Sequence, residues 1–292
     1  MRVTQSMLSD RSLRNLSQSY QKLAQYQEQL STGKKISRPS DDPVVAMKGM
    51  FYRTNLTEVE QFQRNLSEVY TWMDNSESGL DQANSILQRT RELVVQANSD
   101  TNNKENRQAI AREIEQLKED MISVANTQIA GRYIFNGTNI GEAPVTFADG
   151  VAEVDQNTEP FQVEVSSGVH LSANINPKNT FPQELFDMFQ QIQDDLNNDN
   201  TANMDSLLGQ VEKLNDNLSA ERSELGARYN RLELVESRLN QQVVIASKIL
   251  SDNEDADMER VITDLMTQEN VHKAALGVSS RLIQPSLMDF LR

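Results

Sequence analysis

The side chains able to do chemistry are few, and they are spaced badly for it. Two histidines occur in 292 residues, His170 and His272, and neither has a second His or a Cys at ligand spacing. The four-ligand sets that hold zinc are therefore missing. There is no cysteine, which removes disulfides, thiolate metal sites and Cys nucleophiles together. Asp195, Asn197 and Asp199 match the first, third and fifth positions of a calcium loop. Asn200, however, stands where that loop needs Gly, and Ser206 where it needs a bidentate Glu. The run Asp252–Asp257 fits less well still, so both stretches read as solvated loops or helix caps. No Gly-rich loop leads into Lys-Ser or Lys-Thr, and no G-x-S-x-G elbow is present. The expectation is a chain that is not an enzyme, with no catalytic, metal or cofactor-binding residues and no cofactor.

The composition points to association instead. Apolar residues make up 37% and aromatic residues 5%, below the usual share of about 45–50% apolar in globular domains. The difference is made up by Gln, Asn and Ser, which suits a thin body with a narrow apolar seam. Net charge is −15 without a basic stripe, which argues against nucleic acid and against anionic lipid. No apolar run reaches the length of a membrane span, so no membrane insertion is expected. The N-terminal residues lack the apolar core of a cleaved secretory signal, so any exit from the cell is expected to use another route.

The elements that organise the chain are long heptad helices. Val59, Leu66, Met73, Leu80, Leu87 and Val94 recur every seven residues, with Phe62, Val69, Ser76, Ala83, Thr90 and Ala97 three residues after each. A helix over 47–99 would be roughly 75 Å long. The C-terminal half mirrors it, with Val211, Leu218, Leu225, Leu232, Leu239 and Ala246 in one row. Leu207, Leu214, Glu221, Arg228, Val235, Gln242 and Ile249 form a more polar second row. Between them Ile110, Ile114, Leu117, Met121 and Val124 predict a third helix, and Ser99, Asp100 or Thr101 is expected to cap it.

Residues 131–182 read differently. The turn signal Asn136-Gly137, the alternation of Phe161–Val165 and that of Val169, Leu171, Ala173 and Ile175 predict a small β-rich module. At the ends, Leu13, Leu16, Tyr20, Leu23 and Leu30 follow heptad spacing. So do Ile262, Leu276 and Ile283, with Phe290 beyond them. These stripes are too narrow to bury themselves, and isolated helices of this kind are marginal in water. The expected fold class is mainly α: an elongated antiparallel long-helix bundle from the N- and C-terminal halves, with a small β-rich inserted module and terminal coiled-coil segments. The expected domains are 1–45 with 251–292 as a terminal helical assembly region disordered in the monomer, 46–130 with 183–250 as the bundle, and 131–182 as the β-rich outer module.

The segment Leu30–Pro43, LSTGKKISRPSDDP, resembles the N-terminal signature of the bacterial flagellin superfamily. Met1–Thr4 (MRVT), Asn126–Phe135 (NTQIAGRYIF) and Ala274–Leu291, with QPSLMDF at 284–290, extend the resemblance over the whole length. Pro43 stands where flagellin itself has Ala, which sets the chain nearer the hook–filament junction members. The resemblance implies a structural subunit of the bacterial flagellum that forms the junction between the hook-side junction protein, of hook-associated protein 1 type, and the flagellin filament. It implies a ring of copies of itself, a flagellar export chaperone, and passage through the flagellar type III apparatus to the extracellular flagellum. The implied assembly interface is Leu13, Leu16, Tyr20, Leu23, Leu30, Arg38, Asp41, Asp42, Leu276, Ile283, Leu287 and Phe290. Two alternatives stay open: flagellin itself, and, from another class, a coiled-coil signalling rod.

Overall fold

Sustained seven-residue spacing becomes helix throughout. The computed structural model describes residues 5–99, 103–148 and 151–288, with side chains at 7, 9–99, 103–147 and 151–280. The elements are α1 (Gln5–Thr32), α2 (Pro43–Ala97), α3 (Lys104–Ala125), β1 (Gln128–Ile129), β2 (Arg132–Tyr133), β3 (Val145–Ala148), β4 (Val151–Val154), β5 (Gln162–Ser166) and β6 (Val169–Ser172). They are followed by α4 (Pro177–Thr180), α5 (Gln183–Asn197), α6 (Met204–Glu254) and α7 (Met258–Met288). Long helices with a small insert of short antiparallel sheets are the mainly α class that the heptads predict.

The chain divides into two compact units, Val59–Gln241 and the pair Met1–Glu58 with Gln242–Arg292. They are called the core unit and the terminal unit below. The division falls inside α2 and α6, further from the ends than the expected boundaries at 45/46 and 250/251.

In the core unit the predicted seam is the observed one. From Val59 to Ala97 every position of the two α2 rows is buried except Phe62, which is half-buried. On α6 the same holds from Leu207 to Leu239, with Arg228 half-buried. Side-chain bonds along the flanks fix the pairing as antiparallel. Asn98 Nδ2 donates to Asp205 at 2.9 Å, Arg222 Nε to Glu77 at 2.6 Å, Tyr229 Oη to Asp74 at 3.2 Å and Gln63 Nε2 to Asn240 at 2.7 Å. These pairs advance on one helix as they retreat on the other, which is what a heptad seam with polar flanks requires.

Two local expectations change. The N-cap of α3 is Asn103, whose side chain accepts from Asn106 N at 3.0 Å. Ser99 precedes it in a turn, and Asp100 and Thr101 lie outside the described residues. On α3 the buried member of the 117/118 pair is Lys118, not Leu117; its Nζ donates to Gln190 at 2.8 Å and lies 5.2 Å from the Phe147 ring. The partner face belongs to α5, whose Leu185, Phe186, Met188, Phe189, Ile192 and Leu196 are buried.

The insert consists of three antiparallel hairpins, β1–β2, β3–β4 and β5–β6, that do not join into one sheet. Two-stranded sheets leave backbone groups without ladder partners, and buried groups of that kind must be satisfied elsewhere. Asparagines do this. Asn126 bonds both the N–H and the carbonyl of Val145 (3.1 and 2.8 Å), and Asn136 bonds Glu142 O and Asn157 N (3.0 and 2.8 Å). Asn174 accepts from Phe161 N at 2.9 Å. The predicted turn at Asn136-Gly137 is real, with Gly137 at φ +56°. The run before it is mostly not strand: Ile134 and Phe135 are fully buried, and Phe135 packs edge-on to Phe181 at 4.9 Å.

Candidate assembly surface

The terminal unit has the opposite economy of burial. Of 43 buried apolar residues among those described, 42 lie in the core unit and only Val261 in the terminal unit. Of 20 large apolar residues left exposed among those described, 16 lie in the terminal unit. Charge divides the same way. The terminal unit carries 14 Lys and Arg against 13 Asp and Glu, while the core unit carries 14 against 30. A nearly neutral unit with its apolar side chains outward is built to associate.

The pair α1/α7 shows how the two faces are divided. The helices run antiparallel: Lys34 bridges Asp255 at one end, and Ser19 meets Gln268 and His272 further along. The seam on α1 is Ser12, Leu16, Ser19, Leu23, Tyr26 and Leu30, all buried or half-buried, and on α7 it is Val261, Leu265, Gln268, His272, Ala275 and Ser279. Both series alternate spacings of three and four. Leu16, Leu23 and Leu30 therefore sit where the heptads predict. Leu13 and Tyr20 do not: they are 58% and 64% exposed, and the small Ser12 and Ser19 take the seam instead. Leu276 and Ile262 likewise face out, at 46% and 41% exposed. Rows one residue apart both keep a period of seven, and hydropathy alone does not tell the seam from the row beside it. The centre of the seam is polar, with Gln268 Nε2 donating to Ser19 Oγ at 2.8 Å and His272 Nδ1 at 3.3 Å from the same oxygen. The side chains of Ile283 and Leu287, and Phe290 as a whole, lie outside the described residues.

Arg38, Asp41 and Asp42 belong to the connector between α1 and α2. Helix α1 closes at Gly33 (φ +70°), whose N–H donates to Gln29 O at 2.9 Å, a left-handed cap that glycine adopts without steric cost. Asp41 accepts from Arg38 N at 3.0 Å and closes a turn. Asp42 caps α2, accepting from Val44 N and Val45 N at 2.9 and 3.1 Å, with Pro43 as the first helical residue. The carboxylates of Asp41 and Asp42 thus hold the connector in shape.

Sequence reasoning missed further members of this surface. Val44, Met47 and Phe51 lie on one face of α2 and are exposed, as are Val244, Ile245 and Ile249 on α6. It also missed Glu254, a buried carboxylate with Lys34 Nζ at 3.1 Å and Arg53 at 2.6 Å. Burial alone would push this carboxyl's pKa up, but hydrogen bonds from Arg53 and Lys34 outweigh that and hold it below the usual glutamate range. The two stretches that resemble calcium loops are the end of α5 with the turn after it, and the end of α6 with the cap of α7. Asp195 accepts from Asn200 and Asn203 (both 3.1 Å), Asp199 pairs with Arg107 at 2.6 Å, and Asp257 accepts from Arg260 N at 3.2 Å at the start of α7. Among the described residues, no helix is long and apolar enough to cross a membrane.

Comparison with known proteins gives the same pattern of parts. Residues 3–140 match the bacterial flagellin N-terminal helical region, and residues 208–291 match the bacterial flagellin C-terminal helical region. Flagellar hook-associated protein 3 of Escherichia coli (strain K12) is 24% identical over 302 residues, covering 94% of this chain and 95% of that protein. A flagellin of Bacillus subtilis (strain 168) is 26% identical over 288 residues, covering 93% and 92%. Among solved structures, a putative flagellar hook-associated protein from Vibrio parahaemolyticus superposes with a TM-score of 0.68 at 19% identity, covering 74% of this chain and all of that one. FlgL of Xanthomonas campestris superposes at 0.63 and 17%, covering 68% and 98%.

Proposed function

The chain belongs to the bacterial flagellin family, and on that premise we propose that it is the structural subunit joining the flagellar hook to the flagellin filament. The observation that carries this is the division of burial: a core unit with its own seam, and a terminal unit that, among the described residues, exposes 16 large apolar side chains and buries one apolar residue. A subunit of that kind completes its core only against neighbours. The family is one of flagellar structural proteins, and the surface derived above offers association rather than catalysis.

Outward Leu13, Tyr20 and Leu276, with the apolar faces of α2 and α6, supply lateral and axial contacts. The partners are further copies in a ring, the hook-side junction protein on one side and flagellin on the other. Before assembly an export chaperone covers the C-terminal segment. Full-length matches include both a hook-associated protein and a flagellin, and it is Arg38-Pro-Ser-Asp-Asp-Pro43, with Pro43 where flagellin itself has Ala, that favours the junction over the filament.

Electron microscopy of the source bacterium without this gene is the test. Hooks lacking filaments, with flagellin shed into the medium, are expected. Normal filaments would overturn the junction reading, and loss of every filament subunit from medium and cell would favour the filament reading.

A further inference from the structure

Four features converge on Glu254. Its side chain is 8% exposed and receives Lys34 from the connector after α1 and Arg53 from α2. It lies on Gly49, where an added Cβ would come within 2.5 Å of Oε1 and would have to displace the carboxylate. The backbone around it forms a short antiparallel bridge: Lys35 N donates to Glu254 O at 2.7 Å, and Ala256 N donates to Gly33 O at 2.8 Å, with Lys34 opposite Asp255. Lys35 Nζ adds a bond to Asp252 O at 2.6 Å.

The bridge also counts out the α1/α7 pair. Ser19 lies fifteen residues before Lys34, while Gln268 and His272 lie 13 and 17 residues after Asp255. Ser19 is therefore level with the gap between its two partners, and the arms measured from the bridge are equal. The polar meeting of Ser19 with Gln268 and His272 marks one register at the centre of the seam. A buried carboxylate shared by two cations specifies it strongly, because slippage would leave the charge buried and unpaired.

We infer that Glu254 is a positioning residue for assembly: seated on Gly49 between Lys34 and Arg53, it clasps the connectors of α1 and α7 and sets the register in which that pair is presented to neighbouring subunits. The inference rests on the assembly reading above. It gives the Gly33-Lys34-Lys35 stretch of the N-terminal signature a physical role, since Gly33 ends α1 and the two lysines close the clasp.

The chain lacks cysteine, so register can be read on the full-length protein carrying Leu23→Cys and Leu265→Cys, which are level in the seam. A short bifunctional maleimide should join them efficiently. Adding Glu254→Ala, or Gly49→Ala, should lower the cross-linked yield at least tenfold and speed amide exchange at residues 34–36 and 254–256 by a similar factor. The melting of the core unit should be unchanged, and the same single variants in cells lacking the gene should fail to restore filaments. The exchange Arg53→Glu with Glu254→Arg should recover part of both readouts. Unchanged cross-linking and exchange in Glu254→Ala would overturn the inference, as would a loss that accompanies melting of the core unit and is not recovered by the exchange. If the gene proves unnecessary for filaments, the junction reading fails while the cross-linking result still decides the clasp.

Discussion

Ser19 and Gln268 meet at 2.8 Å in the middle of the α1/α7 seam, where a coiled coil would ordinarily bury two apolar side chains. The pair is held together by a hydrogen bond that also limits how tightly it can pack. Removing one partner leaves the other unsatisfied, whereas replacing both with apolar groups can be neutral or better. Ser19→Ala should therefore weaken the pairing by about 1 kcal/mol. Ser19→Leu with Gln268→Leu should restore or exceed it. Amide exchange across residues 9–30 reads both; equal protection in all three chains would mean that the polar centre is irrelevant to pairing.

Leu225 is 3% exposed in the α2/α6 seam of the core unit. Leu225→Asp places an unpaired charge there, at a cost of several kcal/mol. The thermal midpoint of the core unit should fall steeply. An unchanged midpoint would contradict the seam itself.

Ser76 occupies a heptad position of α2 at 0% exposure, and its Oγ has no hydrogen-bond partner among the described residues. A buried hydroxyl of that kind carries its desolvation cost unrelieved, about 1–3 kcal/mol. Ser76→Ala should raise the denaturant midpoint of the core unit with an unchanged slope, and a lowered midpoint would show that the hydroxyl is satisfied.

The Glu254 carboxyl is held below its ordinary value of 4.5 in the folded chain. The stability it contributes is complete above that value and is lost as pH falls through the lower folded one. Lys34 and Arg53 face it, and Asp252 and Asp255 flank it on its own segment. Amide protection at residues 254–256, taken relative to the intrinsic exchange rate at each pH, should fall on acidification from about pH 6 to pH 3, and Glu254→Gln should remove most of that dependence. An identical acid response in Glu254→Gln would assign the effect to other groups.

The legible and illegible parts differ for physical reasons. Both rows of α2 from Val59 to Ala97 could be read because a seam buried along its whole length demands apolar or small residues at every contact. At Leu13, Tyr20, Ile262 and Leu276 the heptad rows lie one residue from the α1/α7 seam, because two requirements compete there. The inner seam needs to be only good enough to pair, and the more apolar row faces outward. A hydropathy pattern reports which side chains will be buried eventually, not which neighbour buries them. Asn103 as cap, Lys118 as a buried lysine and the asparagines that serve the hairpins depend on contacts distant in sequence. Glu254 looked like one more acid in an acidic loop, and only the chain that returns past Gly49 distinguishes it.

We propose that the outward apolar rows of the terminal unit, and not its seam, make the junction. Tyr20→Gln with Leu276→Gln removes two large outward side chains while leaving Ser19, Gln268, the Leu16 and Leu23 positions and the Glu254 clasp in place. The measurement is restoration of filaments, counted by electron microscopy, in cells that lack the gene and express this variant, with its export confirmed in the medium. The account predicts a secreted, folded protein with unaltered α1/α7 cross-linking that fails to cap the hooks and leaves flagellin shed. Filaments in normal number and length would contradict it.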